Sequence, residues 1–238
     1  LFRSAHVLPK CKAPVIVQSA TRLIWERKSQ YAAMRPLRRV SLRLQQPILN
    51  FQEKIVLKRN YLFLFENTSI LKWFNSKGNI KAKLWYPGYG PRNIIQSIEK
   101  FAPNFGHMIA VGRLGEPRKG WSRLLFSYQK AFDLNPNLPS LVILGWGNFS
   151  REDFSSFKKL ESKYPIILHR NLSDLDRDFL LSSATFFVQA SYEEGLGLSM
   201  VEALSYDLPI LSSKTYGSIE CVVHNANGIL VDDSKSFE

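Results

Sequence analysis

Two short segments bring together residue types that can hold an anion and a sugar. The first, VGRLGEPRKGW, places Arg113 and Lys119 between an apolar run and a helical pattern. An arginine can clamp a diphosphate through two parallel N–H···O bonds, a lysine adds a point charge, and backbone N–H groups at a helix start favour an anion. Ordinary surface cations on a turn would give the same spacing. The second segment, SYEEGLGLSMVEAL (residues 191–204), sets Glu194 and Glu202 seven residues apart across a Gly195-Leu196-Gly197 turn. Glycines let backbone approach a ligand closely, and a helix opening there favours an anion. Glu202 falls about one turn inside that helix, where its carboxylate can accept from a diol such as ribose; Glu194, ahead of the turn, can accept from sugar hydroxyls. The plain alternative is a pair of solvent-facing glutamates beside a tight turn.

Other chemistries fit less well. Asp174, Asp176 and Asp178 form a D-x-D-x-D run, but Ser173 precedes a helical pattern, and acids in a first turn offset the helix dipole. No metal site is expected there. Gly145-Trp146-Gly147 follows an apolar run, yet Ser150 stands where a dinucleotide fingerprint has its third glycine. His6, His107, His169 and His224 show no metal-ligand spacing, and no G-x-S-x-G elbow is present.

The elements that must position these residues alternate. Short apolar strand candidates cover 107–112, 140–145, 166–169, 185–190, 208–212 and 228–231, with helical patterns at 121–134, 151–163 and 173–183. Such alternation predicts a parallel sheet covered on both faces, with ligands beyond the carboxyl ends of its strands. Earlier in the chain, 15–18 and 61–65 read as strands, 67–74 as a helix, 80–85 as a strand and 86–91 as a turn-rich linker. Between the first two strands runs a long basic helical segment. Leu37, Val40, Leu44, Ile48, Phe51 and Ile55 build one apolar stripe, Arg35, Arg39 and Arg43 lie opposite, and Pro47 is expected to kink or split the helix.

Composition agrees with a folded α/β chain. Of 238 residues 45% are hydrophobic and 13% aromatic, ample for a core, so disorder is excluded. No apolar run approaches the roughly 18 residues of a membrane span. Cys11 and Cys221 cannot build a disulfide framework or a cysteine zinc site, which makes a reducing interior the default. The net charge of +12 is uneven: residues 1–100 hold 19 Lys or Arg against 4 Asp or Glu, and residues 101–238 hold 13 against 16. We expect two units, 1–100 and 101–238, the first of which meets something anionic.

The ordered set VGRL…KG, LVILGWG, ASYEEGLGLSMVEALSYDLPILSS and GSIECVVHNANGILV resembles retaining glycosyltransferases of the glycosyltransferase group 1 family, over roughly residues 60–238. Its Glu-x7-Glu element is the most specific part. The resemblance implies an α/β fold of two Rossmann-like domains (GT-B type): a partial, acceptor-side N-terminal domain, and a C-terminal donor domain built on a doubly wound parallel sheet. It implies that Arg113 and Lys119 neutralise the diphosphate of a UDP- or GDP-sugar. Glu202 would bind the ribose and Glu194 the transferred sugar. Backbone N–H groups of Gly195, Leu196, Gly197 and Leu198 would face sugar and phosphates, and the Asn171-Leu172 loop would lie near the base. Hexosyl transfer with retention would need no cofactor and no metal, fixed cations stabilising the leaving diphosphate. The sequence departs from the family where VIVQSATRLIWE lacks a histidine near the acceptor side. The first half lacks the glycine-rich acceptor loop and GILVDDSKSFE precedes the family's final helices, so we expect a chain truncated at both ends.

A glycan or lipid-linked acceptor follows from the same resemblance, and the Arg35/Arg39/Arg43 face suits an anionic membrane surface. The expected location is cytoplasmic, peripheral at the inner face of the plasma membrane. Three other readings compete: a non-catalytic sugar-nucleotide-binding module, a basic nucleic-acid-binding protein, and a nicotinamide dehydrogenase. No nucleic-acid-binding module is recognised, and the aromatics read as core.

Overall fold

The computed structural model describes residues 16–19, 36–58, 61–76, 78, 80–86 and 106–232. Arg35, Cys11, most of the expected linker (87–91) and the expected division at 100/101 lie outside the described residues. The chain divides into two compact units, Leu1–Gly88 with Glu193–Leu196, and Tyr89–Tyr192 with Gly197–Glu238.

In the first unit, strands β1 (Ile16–Ser19), β2 (Leu62–Phe65) and β3 (Ala82–Leu84) form a parallel sheet in that order. Helix α1 (Pro36–Leu57) connects β1 to β2, and α2 (Thr68–Asn75) connects β2 to β3. The two-residue period of a strand sends Phe63 and Phe65 into the core, where their rings stack at 6.1 Å and Phe65 meets Phe74 at 4.3 Å. Asn67 caps α2 by accepting from the Ile70 N–H at 2.8 Å. The split expected at Pro47 does not occur: α1 runs through it as one helix of 22 residues. Pro47 is exposed, so the carbonyl its missing N–H abandons can turn to water. Four residues of the apolar stripe are exposed, Val40 by 54%, Leu44 by 73%, Ile48 by 58% and Phe51 by 65%, Ile55 is half-buried, and the Leu37 and Arg39 side chains lie outside the described residues.

The second unit is a six-stranded, wholly parallel sheet. Its strands are β4 (His107–Arg113), β5 (Leu141–Trp146), β6 (Ile166–Arg170), β7 (Ala184–Gln189), β8 (Ile210–Ser213) and β9 (Gly228–Val231), in the order β6-β5-β4-β7-β8-β9. The chain therefore starts in the middle, winds outward one way, returns, and winds the other way. That is the doubly wound dinucleotide-fold order. Helices α3 (Trp121–Leu134), α4 (Arg151–Glu161), α5 (Asp174–Ser182), α6 (Leu198–Leu204) and α7 (Ser218–Cys221) fill the connections. Alternate strand residues feed two cores. Met108, Ala110, Leu141, Ile143 and Val188 pack with Leu124, Leu125 and Phe157 on one face. Ile109, Val111, Val142, Leu144 and Phe187 pack with Leu180, Leu181 and Met200 on the other. Continuous apolar strands are what a sheet covered on both sides demands. Strand and helix boundaries differ from expectation by no more than two residues, with two-residue shifts at the start of β3, the end of α4 and the start of β8. No helix among the described residues is long and apolar enough to cross a membrane.

His107 begins β4 fully buried, its Nε2 donating to the Leu180 carbonyl at 3.0 Å. Burial pushes its pKa below the ordinary 6.5, and His169 adds to the depression. The unfolded chain then binds this proton at a pH where the folded one does not, so its contribution is complete above 6.5 and is lost as pH falls below it. We expect the melting temperature to fall more steeply between pH 7 and pH 5 for the wild type than for His107→Gln. Equal slopes would assign the acid sensitivity to other groups.

Candidate functional site

The strand order creates a switch point between β4 and β7, whose following connections run to opposite faces of the sheet. In open α/β sheets the crevice at such a point is where ligands bind. The loop leaving β4 carries both expected cations. Arg113 ends the strand with its side chain 63% exposed, and its Nη1 donates to Glu116 Oε1 at 3.1 Å. Glu116 also pairs with Arg118 at 2.8 Å, so one carboxylate lies between two guanidinium groups. Lys119 closes a 3₁₀ turn (Pro117–Lys119), and its stem crosses the end of β4 where Gly112 leaves room: a Cβ there would be 3.3 Å from Lys119 Cε.

The β4 and β7 ends are fastened to each other. Gly120 has φ of +65°, and a Cβ at that position would overlap the Ala190 carbonyl oxygen. The Tyr192 N–H donates to the Arg118 carbonyl at 2.7 Å. Arg123 Nε donates to the Ala190 carbonyl at 2.9 Å, and its guanidinium lies 4.1 Å from the Tyr192 ring centre. Trp121 Nε1 donates back to the Arg113 carbonyl at 2.9 Å. No spacing rule singles out Arg123 or Tyr192; both act through tertiary contacts.

Beyond Tyr192 the chain passes through Glu193–Leu196, which group with the first unit, and returns at Gly197. Glu194 is buried at 4% exposure, Leu196 is buried, and the Gly195 carbonyl accepts from Asn67 Nδ2 at 3.0 Å within that unit. Gly197 is left-handed (φ +78°) and opens α6, with Met200 folded against the space a Cβ would fill. Leu198, the first residue of α6, is half exposed. Glu202 lies inside α6, buried at 8% exposure, and its Oε1 accepts from Arg177 Nη2 at 2.7 Å. Neither glutamate faces solvent, so the expectation of solvent-facing glutamates does not hold. On the far side of β5, Asn171 follows β6 in a left-handed conformation (φ +52°) with its N–H donating to the Gly145 carbonyl at 3.0 Å, while Leu172 packs against the core.

Two other motifs have structural explanations. A Cβ at Gly145 would overlap the Leu114 side chain, so this glycine makes room for core packing. Ser173 caps α5, its hydroxyl accepting from the Asp176 N–H at 3.2 Å and donating to Asp176 Oδ2 at 2.6 Å. Among the described residues no group of three or more His, Cys, Asp or Glu is placed to hold a metal.

The family described as "Glycosyl transferases group 1" matches residues 92–238. Sucrose-phosphate synthase of Spinacia oleracea is 32% identical over 92 residues, covering 34% of this chain and 9% of that protein. The solved sucrose-phosphate synthase from Thermosynechococcus elongatus superposes with a TM-score of 0.73 at 15% identity, over 95% of this chain and 57% of that one. WaaG, a glycosyltransferase involved in lipopolysaccharide biosynthesis, gives 0.68 at 16% identity, over 93% and 63%. The chain thus spans about a tenth of the curated relative and under two thirds of either solved chain. At these identities the solved structures speak for the fold: the expected GT-B class of two Rossmann-like units.

Gly120 yields a direct test of the fastening. Gly120→Ala must adopt a left-handed backbone and also displace the Ala190 carbonyl, at a combined cost of at least about 2 kcal/mol. Gly147, at φ +79° with nothing within 4 Å of the place a methyl group would take, isolates the backbone cost alone. Thermal melts should show Gly120→Ala falling several degrees further than Gly147→Ala. Equal losses would mean that the two strand ends are not in contact.

Proposed function

The chain belongs to glycosyl transferases group 1, and from that premise we propose that it binds a nucleoside-diphosphate sugar at the carboxyl edge of the six-stranded sheet. It then passes the hexose to an acceptor hydroxyl with retention of anomeric configuration. The observation that carries this reading is the doubly wound strand order, with Arg113 and Lys119 on the loop that leaves its central strand. Charge develops on the departing diphosphate as the anomeric bond breaks, and fixed cations aimed at that charge lower the barrier without having to reorganise. Lys119 supplies one such cation. Arg113 supplies the second: its present pairing with Glu116 is solvent-exposed and contributes at most about 1 kcal/mol, so a diphosphate can displace it.

The remaining roles follow the family resemblance. Glu202 accepts from the ribose hydroxyls and Glu194 from those of the transferred sugar. Backbone N–H groups of Gly195, Leu196, Gly197 and Leu198 face sugar and phosphates, and Asn171 and Leu172 lie by the base. UDP and GDP are the donor nucleotides to try first, with a glycan or lipid-linked acceptor. A donor phosphate oxygen takes the proton of the attacking hydroxyl, so that it enters on the leaving-group face. This scheme assigns charge neutralisation to side chains and uses no metal.

Thermal melts with UDP, GDP and ADP test it. A ligand at 100 times its dissociation constant adds about 2.7 kcal/mol, which for a chain of this size is roughly 5–10 °C. One nucleoside diphosphate should produce that shift in excess EDTA, and Lys119→Ala should remove most of it. Absence of a shift with all three would overturn the donor reading, and a shift that requires added magnesium or manganese would overturn its metal-free form. Binding in the absence of any sugar transfer or donor hydrolysis would leave the non-catalytic binding module.

We also propose a peripheral location at the cytoplasmic face of a membrane, supported by the exposed Val40, Leu44, Ile48 and Phe51 stripe and the exposed Arg43 on α1. Anionic lipids of that leaflet attract basic segments at about 1 kcal/mol per cation, and a helix lying in the interface buries its apolar face. The protein should sediment with vesicles containing phosphatidylglycerol and not with pure phosphatidylcholine, and Leu44→Glu with Phe51→Glu should abolish this. Equal sedimentation of wild type and double variant would sink the proposal.

A further inference from the structure

The Glu202 carboxylate is met from another helix. Its Oε1 meets Arg177 Nη2 at 2.7 Å, and Arg177 stands on α5, a different segment of the fold. Both side chains are largely enclosed, with 22% of Arg177 and 11% of Glu202 exposed. Asp178 Oδ1 and Asp174 Oδ1 flank the same guanidinium at 3.4 Å, the latter on a side chain 73% exposed. Arg177 Nε is buried with no acceptor among the described residues. The guanidinium is thus placed by its Nη groups, and its shortest contact is the one to Glu202.

This pair is not explained by packing. Leu180 and Leu181 of α5 and Met200 and Ala203 of α6 belong to one apolar cluster. A charged pair at such a contact is seldom more stabilising than an apolar pair of similar volume. An arginine does something else well: its guanidinium is rigid, always charged and donates directionally, so the Nη2 contact holds one oxygen of the Glu202 carboxylate in place. α5 also begins just after Asn171 and Leu172, at the Ser173 cap, one turn before Arg177. One arginine therefore ties the helix that follows the proposed base loop to the carboxylate proposed to read the ribose.

We infer that Arg177 is a positioning residue for nucleotide recognition: it holds the Glu202 carboxylate in the orientation that accepts the ribose hydroxyls, and so sets the preference for a ribonucleotide over its deoxy counterpart. This rests on the assignment of Glu202 to the ribose made above. Arg177 touches no ligand in this scheme. Its signature is a selective one, a loss of affinity that appears only when the ligand carries the hydroxyls.

The experiment is titration calorimetry of the 238-residue chain with UDP, GDP and ADP and with the 2′,3′-dideoxy form of whichever binds. Wild type should prefer the ribo form by on the order of tenfold or more, the scale of hydrogen bonds to a charged acceptor. Arg177→Ala should bring that preference close to one while leaving the affinity for the dideoxy form within about twofold. Arg177→Lys keeps the charge without the fork and should lose part of the preference. It decides the matter if Arg177→Ala does not fold. A ribose preference unchanged in Arg177→Lys or in folded Arg177→Ala overturns the inference. Glu202→Gln separates the two levels. If it removes the preference while the Arg177 variants keep it, the inference alone fails; if it keeps the preference, the ribose assignment fails and the inference with it. Binding of none of the three diphosphates by the wild type overturns both.

Discussion

Parallel strands cannot be joined by a tight turn, so each neighbour must be reached by a crossover that climbs back over one face of the sheet. In this chain the first crossovers from β4 run outward to β5 and β6, and the chain then returns to the other side of β4 to lay down β7, β8 and β9. The loops after β4 and β7 consequently leave neighbouring strand ends in opposite directions, the arrangement at which open α/β sheets bind ligands. Everything at the candidate site depends on that reversal. It brings Gly120 against the Ala190 carbonyl, gives Tyr192 the Arg118 carbonyl to bond, and lets Arg123 close over both. Loops fastened in this way carry little freedom to lose when a ligand arrives, which is how a scaffold improves affinity without adding contacts.

Enclosed ionisable groups are the second recurrent feature. Taking a charge out of water is costly unless it is paired or hydrogen-bonded. Glu202 is paired across two helices, whereas Asp178 and Arg177 pair with each other on one helix. A core built for stability alone would place apolar side chains at such positions. Enclosed acids and bases are commoner where a fold must recognise something. His107 is a useful contrast. It is as deeply buried, but its Nε2 spends its proton on the Leu180 carbonyl and lies at the beginning of β4, the opposite end of the strand from the ligand edge. Depth of burial does not by itself mark a site; position along the strand does.

Most of the second unit is legible in the sequence because its signals agree. The α3 limits, 121–134, are those of the helical pattern expected between two apolar strands, and Gly120 turns out to be left-handed just before it. Pro209 obscures the start of β8, since a proline can precede a strand without joining its ladder, and the strand begins at Ile210. Pro47 misleads in the other direction. A helix of 22 residues tolerates one missing N–H at an exposed position. The cations and glutamates stand out as types and spacings within single loops. Arg177 does not, because its partner is 25 residues away on another helix, and the acidic run around it draws the eye to Asp174, Asp176 and Asp178. The signal it does carry is that of an arginine in the interior of a short amphipathic helix, one turn after its cap.

Charge distribution limits where an anion can be held. The half of the sequence that contains the doubly wound sheet has a slight acidic excess, 16 acids against 13 bases over residues 101–238. Its overall field therefore does not attract a diphosphate. Any attraction has to be local, within a Debye length of roughly 8 Å at physiological salt. Arg113, Arg118 and Lys119 supply three cations within seven residues, and Glu116 already occupies the space between two of them. The Glu116 carboxylate bridges two guanidinium groups, Arg113 and Arg118, whose donors are the ones the proposed diphosphate site would use. On the proposal made above, a diphosphate would displace Glu116 by offering more acceptor oxygens and more charge to the same donors. The first half has the reverse balance in sequence, 19 Lys or Arg against 4 Asp or Glu over residues 1–100, an excess that favours an anionic surface.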